Sequence, residues 1–235
     1  MKYLSVVIPT YNEGNRLPKT LAAVERYLTR HNLDGEIIVS DGGSKDQTVP
    51  FVKKYHSAVP LKLVRQKRRQ GKGKGVKDGI LAASGQWVLF MDADGSTSIG
   101  EVEHFFKYKF KYEVIIGSRY AGEEIKRKQN WLRRKVSRFG HWVIVKLTGL
   151  DFEDTQCGFK LFSRRAAQDI FSRLKTRGWG FDVEVLLLAE RLGYKVKEVP
   201  VAWRDVEGSH LRAGQDSIKT FVEVIKTVRR LKRKG

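Results

Sequence analysis

The feature that most limits what this chain can become is a rhythm in its first half, where short apolar runs are each closed by a polar or glycine-rich turn and followed by a helix-patterned stretch. The runs are Leu4 to Ile8, Glu36 to Ser40, Leu61 to Val64 and Trp87 to Met91. The turns are Pro9 to Gly14, Asp41 to Ser44, Arg65 to Gly75 and Asp92 to Ser98. Runs dense in Val, Ile and Leu suit strands buried on both faces, and strands separated by helical patterns need crossover connections, which build a parallel sheet. The expected fold is therefore α/β, a mostly parallel central sheet flanked by helices. In such sheets the ligand lies beyond the carboxyl ends of the strands, so the four turns should converge on one crevice.

The second half changes character. A fifth strand, Val114 to Gly117, leads into Ser118, Arg119 and Tyr120, followed by a basic and aromatic segment, Lys126 to Leu150, that reads as helical. Phe181 to Leu192 reads as a helix and Lys195 to Val199 as a strand. From Ile218 the tail sets Phe221, Val222, Ile225, Val228 and Leu231 at three- and four-residue steps among Lys219, Lys226, Arg229, Arg230, Lys232, Arg233 and Lys234, the pattern of a basic amphipathic helix. The expected organisation is one catalytic domain over residues 1–212 and a C-terminal helix over 213–235.

With 46 Lys and Arg against 26 Asp and Glu, the net charge of +20 calls for a negatively charged partner: nucleic acid, anionic lipid or a phosphorylated substrate. The single cysteine, Cys157, excludes an intramolecular disulfide framework and a cysteine-rich zinc site. No stretch approaches the ~20 apolar residues of a bilayer span, so any membrane contact is expected to be peripheral.

Four turns carry candidate chemistry. Asp92-Ala93-Asp94 follows an apolar strand, where alternation lets one carboxylate face the crevice while the other braces the turn. Asp94 could then hold a divalent cation against a diphosphate, since hard cations complete their oxygen shell with substrate phosphates. Two aspartates after a strand are also ordinary turn residues. Asp41, followed by Gly42, Gly43 and Ser44, could accept bonds from a nucleoside, or could simply belong to a turn capped by Ser44. Tyr11 and Glu13 could stack on and bond to the same nucleoside. The run Arg65 to Gly75 is a candidate phosphate-neutralising loop or a solvated charged loop, and lacks the spacing of a Walker A motif.

Taken in order, SVVIPTYNEG, IIVSDGGSKDQT, GKGKGVKDGI, WVLFMDADGS and IIGSRY resemble the nucleotide-binding half of family 2 glycosyltransferases, which have the Rossmann-like glycosyltransferase A fold. DTQCGFKLFSR, GWGFDVEVLLLAERLGYKVKEVPVAW and EGSHL resemble dolichyl-phosphate β-glucosyltransferases, with dolichyl-phosphate mannose synthases as near relatives. The resemblance implies that Pro9, Tyr11, Glu13 and Asp41 hold the nucleoside and that Asp92, Ala93 and Asp94 handle ribose, diphosphate and metal, Mg²⁺ or Mn²⁺, with Ser96 a further metal ligand. It implies that Arg119 meets the diphosphate or the acceptor phosphate and that Arg133 and Ser137 bind the acceptor phosphate. Where the relatives read GSKL this chain has Gly208, Ser209, His210 and Leu211, which leaves Arg204 or Arg212 to replace the lysine. No Gln-x-x-Arg-Trp motif of processive members occurs.

The function so implied is transfer of a hexose from a nucleotide sugar, UDP-glucose in preference to GDP-mannose, to a polyprenyl (dolichyl) phosphate with inversion. The acceptor is an anion with a second pKa near ~6, already largely ionised at neutral pH, so positive charge matters more than a general base. Asp182 or Glu184 could serve as a base toward a hydroxyl, or could cap and pair on their own helix. The expected place is the cytoplasmic face of an anionic membrane surface. The rival from another class is a nucleic-acid-binding protein, suggested by the charge and by aromatics among arginines from Trp131 to Trp142. It lacks a recognised motif and leaves the crevice turns unexplained, so nucleic acid is not expected as a partner.

Overall fold

A computed structural model describes residues 2–120, 145–204, 206 and 215–232. Seven strands form one sheet: β1 (Leu4–Thr10), β2 (Gly35–Asp41), β3 (Leu61–Arg65), β4 (Trp87–Met91), β5 (Val114–Ser118), β6 (Phe159–Ser163) and β7 (Val196–Pro200). Their order is β3-β2-β1-β4-β6-β5-β7. All neighbours are parallel except β6, which runs antiparallel to both β4 and β5.

The helices are α1 (Leu17–Arg30), α2 (Thr48–Lys54), α3 (Lys72–Leu81), α4 (Val102–Phe106, after a 3-10 turn at Ile99–Glu101), α5 (Arg164–Arg173), α6 (Phe181–Arg191) and α7 (Gln215–Lys232). They divide between the two faces of the sheet. In α1 Leu17, Leu21, Val24 and Leu28 fall on one stripe and bury against Val6, Ile8, Ile37 and Leu89. On the other face Val76 and Ile80 of α3, Ile170 and Phe171 of α5 and Val185 and Leu186 of α6 close over Val7, Ile38, Phe90 and Phe162.

Three details depart from the expectations. The strand Phe159–Ser163 is not among those expected, because Lys160 interrupts its apolar run; period-2 alternation sends Phe159 and Leu161 into one core and Phe162 with Lys160 toward the other. The run Arg65 to Gly75 is only partly a loop. Helix α3 starts at Lys72, where the amides of Gly73 and Lys74 are accepted by the carbonyls of Gly178 and Arg177, 3.3 and 3.2 Å away. These tertiary acceptors satisfy two of the amides a helix start leaves open.

The third departure is the docking face of the C-terminal helix. Val224 and Thr227 are buried with Val228 and Leu231 packed beside them, while Phe221 and Val222, assigned to the apolar stripe, are each 41% exposed. Polar anchors set this rotation. The Thr227 and Thr176 hydroxyls meet at 3.0 Å, the Glu223 carboxylate accepts from the Gly180 amide at 2.8 Å, and Arg230 pairs with buried Glu184 at 2.6 Å. Among the described residues no helix is long and apolar enough to cross a membrane.

Candidate active site

The carboxyl ends of β2, β1 and β4 lie side by side, so the turns after them meet. The first two are laced together. Asn12, at φ 55°, donates its amide to the Ser44 hydroxyl at 2.8 Å and accepts from the Lys45 amide at 2.9 Å. The Glu13 amide donates to the Thr48 hydroxyl and the Gly14 amide to the Asp46 carboxylate, at 2.8 and 2.9 Å. Asp41 is completely buried and accepts from the Gly43 and Ser44 amides at 3.0 Å, with the Arg65 guanidinium 3.9 Å away. Its carboxylate thus folds the loop after β2. Pro9 lies at the end of β1 opposite Ser40, and Tyr11 follows with the Arg69 guanidinium 4.2 Å above its ring. The Glu13 carboxylate is forked by Arg16 at 2.7 and 2.8 Å.

The turn after β4 is braced separately. The Ala93 carbonyl accepts from the Thr20 hydroxyl at 2.8 Å, Asp94 accepts from the Ser96 amide at 2.9 Å, and the Ser96 carbonyl accepts from the Arg204 amide at 2.8 Å. Thr97 bridges to Trp203, so the segment after β7 lies along this turn. Asp92 extends the β4–β6 ladder by donating its amide to the Gly158 carbonyl at 3.0 Å. A Cβ at position 158 would collide with the Asp92 carboxylate, which is why a glycine follows Cys157.

Lys72 reaches this carboxylate from the first turn of α3, with Nζ 2.7 Å from Asp92 and 4.8 Å from the Trp179 ring. Burial works against its charge, but Asp92 and Asp182 outweigh burial and raise its pKa. In the sequence Lys72 is one cation in a charged run; the signal that singles it out is its place at the start of a helix facing the end of β4.

Behind Phe90 lies a second pair. Lys160, 1% exposed, donates to Asp182 at 2.6 Å and to the Cys157 carbonyl at 2.5 Å. Burial raises the Asp182 pKa, and Lys160 and Lys72 only partly oppose it. Glu184 accepts from the Lys175 and Thr176 amides at 3.0 and 2.8 Å and pairs with Arg230. Asp182 and Glu184 are therefore both engaged in holding the fold. Burial, reinforced by Asp154, pushes the Cys157 thiol up to about 12, so it is not a thiolate at neutral pH.

Arg119 lies at the end of β5 and forks onto Asp154, with Nε and Nη2 at 2.7 and 2.9 Å and its own amide at 3.0 Å. Burial opposes both charges and their mutual attraction outweighs it, raising the arginine and lowering the carboxylate. Arg204 follows β7 with an exposed side chain. Arg133, Ser137, His210 and Arg212 lie outside the described residues.

Among the described residues no three His, Cys, Asp or Glu side chains come together as a ready-made metal cage. Asp92, Asp94 and Ser96 offer hard oxygen atoms on one turn, a donor set that fits a cation taking most of its ligands from phosphate and water. The turns that carry these groups lie within a match to the model of glycosyl transferase family 2 spanning residues 5–171. The chain belongs to glycosyl transferase family 2.

Within that family it is 35% identical to a dolichyl-phosphate beta-glucosyltransferase of Dictyostelium discoideum, over 95% of this chain and 73% of that one. A protein of the same name from Saccharomyces cerevisiae is 34% identical with the same coverage. Glucosyl-3-phosphoglycerate synthase of Mycobacterium tuberculosis, solved with UDP, superposes with a TM-score of 0.73 at 19% identity, over 97% of this chain and 80% of that one. The same enzyme solved with Mn²⁺, UDP-glucose and phosphoglyceric acid gives 0.70 at 18% identity. At that identity the likeness is one of fold, and it agrees with the expected glycosyltransferase A architecture.

Proposed function

We propose that this chain transfers glucose from UDP-glucose to a polyprenyl phosphate of the dolichyl type, with inversion at the anomeric carbon. The observation that carries this reading is the 35% identity to a dolichyl-phosphate beta-glucosyltransferase over 95% of the chain, and the geometry of the crevice supports it. The loops after β1 and β2 form the nucleoside floor, with Tyr11 to stack on the base. Asp94, with Asp92 and Ser96, would hold Mg²⁺ or Mn²⁺, which when bound neutralises the leaving diphosphate. Lys72 adds a cation beside Asp92.

The acceptor phosphate attacks the anomeric carbon through one oxygen as the bond to the diphosphate breaks, and the nucleoside diphosphate leaves. A phosphate ionised at neutral pH needs no base, which suits an α6 whose Asp182 and Glu184 are both bonded internally. Arg119 forks onto Asp154 through Nε and Nη2, so Nη1 would be the atom to meet that phosphate; Arg133 and Ser137 are assigned to it by resemblance, and Arg204 or Arg212 in place of the lysine that the relatives carry where this chain has His210.

The acceptor lies in a membrane, and the outward face of α7 carries exposed Lys219, Lys226, Arg229 and Lys232 beside Phe221 and Val222. We assign this face to the anionic cytoplasmic surface of a bilayer, where each cation contributes ~1 kcal/mol. The test is a donor screen with a short polyprenyl phosphate, with and without Mn²⁺, carried out on vesicles with and without anionic lipid. Metal-dependent glucosyl transfer and salt-sensitive vesicle binding are expected. Transfer from GDP-mannose alone would replace the donor, and RNA binding without metal-dependent UDP binding would overturn the enzyme reading.

A further inference from the structure

The helix α7 lies beyond the residues matched by the family model, yet it grips a segment that touches the catalytic crevice. The segment 174–180 is held from both sides. From the front, the first turn of α3 donates the Gly73 and Lys74 amides to the carbonyls of Gly178 and Arg177. From behind, the Glu223 carboxylate of α7 lies in the space that side chains at positions 178 and 180 would fill. A Cβ on Gly178 would strike both Glu223 carboxylate oxygens, and one on Gly180 would lie 2.9 Å from the Glu223 Cβ. The same carboxylate accepts from the Gly180 amide at 2.8 Å, at the N-cap of α6. The two glycines thus make room for one acid, and the residue they flank is Trp179.

Trp179 faces the other way, with its ring 4.8 Å from Lys72 Nζ, and Lys72 holds Asp92 at 2.7 Å. One chain of contacts therefore runs from α7 through Glu223, the Gly-Trp-Gly turn and Lys72 to the carboxylate at the end of β4. We propose that Glu223 is a positioning residue for the donor site: by fixing the Gly178–Gly180 turn it holds Trp179 over Lys72, and so keeps the lysine on Asp92. The inference rests on the reading that this crevice takes a nucleoside diphosphate, but its mechanical content is testable without any ligand.

The test uses the full chain. Lysines are acetylated with a soluble amine-reactive ester and the extent at each is read by peptide mass spectrometry, with Lys62 on edge strand β3 and Lys109, held by the Tyr3 hydroxyl at 2.6 Å, as internal references. Glu223→Ala is expected to speed labelling of Lys72 about fivefold while both references stay unchanged, because only the local hold is lost. Glu223→Gln, whose amide oxygen can still accept from Gly180, should restore wild-type labelling. Trp179→Leu should mimic Glu223→Ala with the acid intact, and serves alone should Glu223→Ala not fold. Unchanged Lys72 labelling in a folded Glu223→Ala, unchanged labelling in Trp179→Leu, or a rise at all three lysines overturns the proposal. In calorimetry with UDP and Mn²⁺, Glu223→Ala should weaken binding about fivefold in the wild-type background and less than about twofold beside Lys72→Met, because coupled residues are not additive; equal losses would overturn the route through Lys72. A wild-type chain that binds no UDP would count against the proposed function, while the labelling still decides the role of Glu223.

Discussion

The two sides of the sheet's carboxyl end hold their polar side chains in different ways. On the β2-β1 side, Asp41, Asp46 and Asn12 are satisfied mainly by backbone amides and hydroxyls of adjoining turns. On the β6-β5 side, carboxylates are held by cations, Asp154 by Arg119 and Asp182 by Lys160, with Glu184 shared between Arg230 and two backbone amides. Neutral donors shape a loop without adding net charge, so on the proposed reading the donor side is preorganised. Ion pairs stiffen the other side but must outweigh the cost of leaving water. Asp154 and Asp182 show both outcomes, since a forked arginine lowers the first below its ordinary range while burial keeps the second above it.

The largest effect that would sharpen this contrast is at Asp94. Asp94→Asn should lower transfer on the order of 10³-fold, about 4 kcal/mol of barrier, with thermal unfolding unchanged because the side chain is a partly exposed turn residue. A variant that retains wild-type turnover and metal dependence would remove the metal from this turn. On the opposite side the loss should be in stability. Asp154→Asn leaves Arg119 without its charged partner and should cost roughly 3–5 kcal/mol in denaturant unfolding near neutrality. The sign with pH follows from the lowered folded-state pKa of Asp154. Its contribution is fully present above the unfolded value near ~3.9 and fades as pH falls through the lower folded value. The gap between wild type and variant should therefore be widest above about pH 4 and close in stronger acid; a gap that grows in acid would mean that the pair is not the source.

The same contrast explains what could be read from the sequence. Strands β1, β2 and β4 and their turns are legible because buried parallel strands are rich in apolar residues, edge strand β3 shows through Leu61, Leu63 and Val64, and the turn after each announces the crevice. Strand β6 is hidden by Lys160, a charge that reads as a surface residue until Asp182 is seen beside it. The start of α3 is hidden because its amides are satisfied by carbonyls about a hundred residues away in the chain. Lys72 was visible only as charge, since its meaning depends on Asp92 and Trp179 arriving from β4 and the turn before α6. Apolar period alone groups Phe221 and Val222 with Val228 and Leu231 on α7; the hydroxyls of Thr176 and Thr227 and the Arg230–Glu184 pair turn the first two outward. Arg119 was legible as a site-bordering residue, but its fork with Asp154 required two segments 35 positions apart to meet.

The smallest expected effect probes whether the donor side is as fully prepared as the neutral lacing implies. Arg69 is exposed, and its guanidinium covers the Tyr11 ring at 4.2 Å. The loop that carries it is pinned by the Gln66 amide on the Asp41 carbonyl at 2.9 Å, and its backbone at Arg68 and Arg69 lies close against Gly43. The contact therefore joins a third turn to the two already bound through Asn12 and Ser44. A cation over an exposed aromatic face contributes only about 0.5–1 kcal/mol, since water competes for the charge. Arg69→Gln should consequently raise the KM for the nucleotide sugar roughly two- to fivefold, with kcat nearly unchanged because the residue lies on the nucleoside side, away from the breaking bond. Steady-state kinetics at saturating acceptor separates the two parameters. Tighter donor binding in the variant would reverse the interpretation: Arg69 would then occupy the face of Tyr11 that the base needs, and the donor side would have to open before it could bind.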